Sequence, residues 1–207
     1  MTEEIAVRFA SDTSRHQMTI HHDDGVYRHL RYTSNPTGYG EYWFDLITWP
    51  GRLAIVSDVG DDYVFTRHTD MFEFFRGRAV NPHYWSEKLG GGRRSVQEYS
   101  EDVFRQVVRD LFVDAVRYGD APRGLGQAVR EGLLNQDTFT DREARELLEA
   151  FEYRGFRFKD TWEYSFRDYE PAFLWCCHAI VWGIARYDRL TRGGLQNLAT
   201  PTRAKAA

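Results

Sequence analysis

Lysine is nearly missing from this chain. Only Lys88, Lys159 and Lys205 occur among 27 basic residues, and the other 24 are arginine. Arginine grips carboxylates and phosphates in a bidentate way that lysine cannot. A GC-rich coding bias explains the same imbalance, so the count alone assigns no ligand. A surplus of positive charge is also missing. The formal net charge is −4 in 207 residues and is spread evenly. That excludes duplex DNA as the main partner, because such binding relies on neutralising many phosphates. It is equally too mild for an acidic nucleic-acid mimic. Cysteine is limited to the adjacent pair Cys176 and Cys177. Neighbouring side chains on a helix diverge by about 100°, which excludes a structural disulfide or a shared metal and leaves two small buried hydrophobes. The longest charge-free apolar stretch, Pro171 to Ala185, is closed at once by Arg186, Asp188 and Arg189. It is too short to cross a bilayer, so no membrane partner is expected. The N-terminus is acidic and then mixed, without a signal peptide, which makes the cytoplasm the expected compartment.

Catalytic signatures are absent as well. There is no nucleophile elbow, no HExxH, no pair of CxxC motifs and no Walker motif. No cofactor is expected.

What is present describes an architecture. With 42% hydrophobic and 15% aromatic residues, the chain is globular and long enough to bury a substantial core. The segment PAFLWCCHAIVWGIARYDRL (171–190) is apolar on every side of a helical wheel, so it reads as a buried central helix. Pro171 suits its first turn. A possible short helix opens the chain within 1–15. Asp23-Asp24-Gly25 separates two alternating segments and predicts a hairpin. Met18, Ile20 and His22 then share one face of its first strand. Further strands follow at 42–49, 52–58 and 63–67, with Trp49-Pro50-Gly51 as a turn. Five strands within about 16–67 make an antiparallel meander.

Helical signals occupy 70–190. Asp70 caps MFEFF, Asn81-Pro82 opens a second short helix, and Ser95-Val96-Gln97-Glu98 is a capping box for a long one. A shorter helix covers roughly 124–135, and Thr140 caps the next. The aromatic stretch 155–170 is poorly periodic and reads as loop or short strand. Strands first and helices afterwards imply an α+β fold, with the meander packed against a helical part. No linker is visible, so residues 1–190 read as a single domain. A polar, loose tail is expected over 191–207.

Three groups of residues carry candidate chemistry. The loop Lys88-Leu89-Gly90-Gly91-Gly92-Arg93-Arg94-Ser95 combines close-approach glycines, cations and a helix start, the ingredients of an anion site. Lys88, Arg93, Arg94 and Ser95 would hold phosphate, and Tyr84, Trp85 or His83 would stack on a base. A plain connecting loop is the alternative. His22 with Asp58, Asp61 and Asp62 forms the second group, a possible metal set, although turn chemistry accounts for the aspartates without an ion. His178, among apolar neighbours, reads as a satisfied structural histidine.

The stretches YWFDLITWPGRLAIVSDVGDDYVFTR, DMFEFFR, NPHYWSEKL, EYSEDVFR and FLWCCHAIVWGIARYD resemble a family of uncharacterised proteins encoded by tailed bacteriophages and prophages. The likeness spans about His22 to Asp188. It implies a phage accessory product acting in the host bacterial cytoplasm, and it brings no catalytic residues. The expected function is a non-catalytic binder of a small anionic, nucleotide-like ligand or of a host protein, countering host defence. A metal-dependent nucleotide or nucleic-acid hydrolase is the alternative. A protein–protein module in phage takeover or assembly is another.

Overall fold

A computed structural model of the chain describes residues 2–35, 37, 40–119 and 121–198. The chain divides into two compact units, Met1–Val96 with Glu170–Ala207, and Gln97–Tyr169.

The first unit is built on the meander. Strands β1 (Gln17–Asp24), β2 (Tyr27–Thr33), β3 (Phe44–Trp49), β4 (Arg52–Ser57) and β5 (Tyr63–Thr66) lie side by side in sequence order, every pair antiparallel. Gly25 (φ +59°) and Gly51 (φ +79°) supply the left-handed backbone that these tight turns require. Alternation puts Leu30, Tyr32, Phe44, Leu46, Leu53, Ile55, Tyr63 and Phe65 on one face, all buried.

Helix α7 (Pro171–Leu198) lies across that face. Phe173 packs edge-on to Tyr63, Trp175 edge-on to Phe44, and Trp182 edge-on to Tyr32. Burying each such ring stabilises the fold by about 1.5–3 kcal/mol. The helix approaches closely at Gly183, where an added Cβ would stand 2.9 Å from Leu46 Cδ1 and 3.1 Å from the Tyr32 ring. The Tyr32 hydroxyl donates to the Gly183 carbonyl at 2.8 Å.

Helix α1 (Thr2–Asp12) packs on another side of α7 through Phe9, and the Trp175 indole N–H donates to Asp12 at 3.0 Å. Helices α2 (Met71–Phe75) and α3 (Pro82–Ser86) begin as their sequences predict. Asp70 accepts from the Phe72 amide, and Asn81 accepts from the Tyr84 amide.

Two local expectations are corrected. A bulge between Ile20 and His22 shifts the β1 register, so Asp23 opposite Arg28, not His22, takes the sheet face that Met18 and Ile20 begin. Ser95 does not start the long helix. Residues Arg93–Val96 form one 3₁₀ turn, Gln97–Tyr99 form β6, and helix α4 (Glu101–Arg117) is capped by Ser100, whose hydroxyl accepts from the Val103 amide.

The second unit is closed at its ends by β6 pairing with β7 (Arg167–Tyr169). Its core joins Phe104 and Val108 of α4 to Leu125 and Val129 of α5 (Leu125–Val129), and to Ala144 and Leu148 of α6 (Asp141–Ala150). Leu133, in the π-helical turn that continues α5, and Phe166 complete it.

Helix α7 continues to Leu198 through the start of the expected tail, and residues 199–207 lie outside the described part. Among the described residues, no helix is long and apolar enough to cross a membrane.

Candidate functional site

The glycine–arginine loop is held by its own neighbours. The Lys88 carbonyl accepts from the Thr66 amide at 2.9 Å, and Leu89 bridges to Phe65, so the loop begins as an extension of β5. Arg93 donates to Glu87 at 2.6 Å and to His83 Nε2 at 2.8 Å. Lys88 stands 3.6 Å from Glu87 and 4.3 Å over the Tyr84 ring. One carboxylate therefore serves two of the proposed anion-gripping cations, and the Tyr84 face is already covered. Trp85 is buried edge-on against Phe75, part of the core instead of a stacking surface. Arg94 and Ser95 are exposed, and the Ser95 hydroxyl donates to the Gly92 carbonyl. Without a long helix starting at Ser95, the dipole expected to attract an anion is not there.

Asp61 and Asp62 line a cavity of about 290 Å³ together with Gly90, Gly91 and Ser95. The structure thus joins two groups that the sequence keeps apart, and the carboxylates oppose an anion at these glycines. His22 does not join them. It lies on β1, three strand spacings of about 4.8 Å each from β4. Asp58 accepts from the Tyr42 amide at 3.0 Å. Among the described residues, no group of three or more His, Cys, Asp or Glu is placed to hold a metal ion.

A different cavity, of about 500 Å³, opens between α1 and α7. Phe9 and Trp182 wall it with ring faces 6.0 Å apart, edge to face. His178, Trp182 and Arg186 recur every four residues along α7 and so stand on one stripe of the helix. The Arg186 guanidinium lies 5.2 Å over the Trp182 ring, and it makes no ion pair among the described residues. Its Nε is shielded from solvent without a partner, as is Nε2 of His178. Burial lowers the His178 pKa, which keeps the imidazole neutral near pH 7. Ser14 adds an exposed hydroxyl at the mouth.

No family model, curated protein or solved structure matches this chain. The cavity must be read from its own chemistry.

That chemistry is specific in kind. A shielded cation without a carboxylate and a neutral imidazole with an unsatisfied nitrogen are costly to hold dry. Both converge on a space with aromatic walls, the combination of apolar lining and few polar groups that characterises small-ligand sites. Reading the sequence for a wholly buried helix misses this site. The signal that finds it is the four-residue spacing of His178, Trp182 and Arg186 within an otherwise uncharged run.

Proposed function

We propose that the protein captures a small organic anion with a flat, apolar body, nucleotide-like in character, in the cavity between α1 and α7. Arg186 supplies charge-assisted hydrogen bonds to a phosphate or carboxylate. His178 Nε2 adds one directional bond, and Trp182 with Phe9 sandwiches the apolar part. The observation carrying this reading is that Arg186 and His178 present unsatisfied nitrogens to one aromatic-walled space. In a phage accessory protein, as the sequence resemblance suggests, binding alone would suffice to sequester a nucleotide signal of host defence.

Calorimetry with the full chain against nucleoside phosphates, cyclic nucleotides and aromatic carboxylates tests the reading. One class should bind with quenching of Trp182 fluorescence. Arg186→Met, which keeps the side-chain bulk, should weaken it roughly tenfold to a hundredfold, the worth of a hydrogen bond to a charged group. Absence of heat with every ligand, or an affinity untouched by Arg186→Met, would falsify it.

A further inference from the structure

The second unit carries its own cavity, of about 610 Å³, unrelated to the α1–α7 site. It is organised by the hairpin Tyr153-Arg154-Gly155-Phe156. Tyr153 and Phe156 exchange both backbone hydrogen bonds, at 3.1 and 2.9 Å. Arg154 (φ +51°) and Gly155 (φ +79°) form the left-handed two-residue tip. From this tip the chain reads Arg154, Phe156, Arg157, Phe158, Lys159, so cations and rings alternate. The cations and ring edges enter one groove, faced from α4 by Tyr118.

The charges there are unevenly matched. Arg154, Arg157 and Lys159 line the groove against a single acid, Asp114, which is itself 3.3 Å from Arg117. Arg157 pairs with Glu152. Arg154 donates to the Arg123 carbonyl at 3.2 Å, and neither it nor Lys159 has a carboxylate partner among the described residues. Tyr118 is 73% exposed and Tyr164 37%. Two open tyrosine rings beside three cations, with no apolar neighbour covering them, are poorly explained by packing.

We propose that this groove binds single-stranded nucleic acid. Unstacked bases lie on Tyr118 and Tyr164, and the cationic side of the hairpin follows the phosphates. A duplex hides its base faces and cannot use the tyrosines. The even charge of the whole chain is no obstacle, because a short strand needs only a few local contacts. Two rings and three cations also exceed what one mononucleotide occupies.

Fluorescence anisotropy of labelled oligothymidylate and oligouridylate with the full chain is the experiment. Binding should fall with salt at a log–log slope of about −2, from three phosphate contacts at roughly −0.7 each. Arg154→Glu/Lys159→Glu should reduce affinity at least tenfold and flatten the slope to about −0.7. Tyr118→Ala, at an exposed helix end and without effect on folding, should cost about tenfold with the slope unchanged. Binding absent with both strands, or indifferent to both variants, overturns the proposal. Equal affinity for duplex of the same length reduces it to unspecific charge attraction and overturns it too. Complete competition by a mononucleotide at equal nucleotide concentration would replace the strand with a free nucleotide.

Discussion

Arg28 donates through both terminal nitrogens to Asp70, at 2.9 and 3.0 Å, across 42 residues of sequence. The same carboxylate accepts from the Phe72 amide and so caps α2. Arg28 is only 9% exposed and also lies 4.6 Å over the Phe72 ring. One aspartate therefore fixes the start of a helix to the second strand of the sheet.

Removing it should be expensive. Asp70→Ala leaves a buried guanidinium without its partner and a helix without its cap, and we expect a loss of about 3–5 kcal/mol. Urea unfolding followed by tryptophan fluorescence measures it. A shift below 1 kcal/mol would mean that Arg28 finds solvent or another acid.

The acid limb of stability follows from the same group and from Asp45. Burial raises the Asp45 pKa, but hydrogen bonds from Arg31 and His29 outweigh it, and the net position lies below the usual carboxylate range. Asp70 behaves alike, with burial outweighed by Arg28 and the Phe72 amide. A depressed carboxyl contributes stability that is present above its unfolded value of 3.8 and is lost as pH falls through the folded value. Asp45→Asn should therefore flatten the pH dependence of the unfolding midpoint below pH 4.

The histidines act in a higher window. Burial lowers both His16, despite its bond to the Tyr42 carbonyl, and His178. The unfolded chain takes up their protons first, so stability should decline as pH falls below about 6.5. Replacing His178 by Gln should reduce the loss between pH 7.5 and 5.5. An unchanged profile in that variant would assign the effect elsewhere.

Gly183 is a packing requirement. Gly183→Ala forces a methyl group against Leu46 and Tyr32, and overpacking of this kind costs about 1–3 kcal/mol. The double change Gly183→Ala/Leu46→Ala should cost less than the sum of its two single changes. Strict additivity in a denaturant series would argue that α7 simply moves away.

The two thiols should be inert in the native state. Cys176 and Cys177 are fully buried, and burial pushes Cys176 up to about 12 and Cys177 well above its ordinary value. A thiol reagent should label them only at the rate of global unfolding. Fast labelling of the folded chain would contradict this.

Several elements are legible one segment at a time. The Asp-Gly turn, the Pro-Gly turn, the caps at Asp70, Asn81 and Thr140, and the apolar run opening with Pro171 each express a rule acting within a few residues. Ser95 shows where such rules stop. Ser95-Val96-Gln97-Glu98 and Ser100-Glu101-Asp102-Val103 are both plausible helix starts. The choice falls on Ser100 because Gln97 to Tyr99 pair with Arg167 to Tyr169, some 70 residues away. The bulge at His21, which hands a face of β1 to Asp23, is equally invisible in a regular alternation.

By itself, then, the sequence determined the antiparallel meander, the helical remainder and the apolar helix that covers the sheet, because periodicity and turn chemistry are local. Only the tertiary structure decided which polar groups end without partners. Arg93 finds Glu87 and His83 nearby, Trp85 disappears into the core, and Arg186 is set above Trp182 facing Phe9 from the far end of the chain. Whether a charge is neutralised or left open depends on what the fold places beside it, and that is a long-range property.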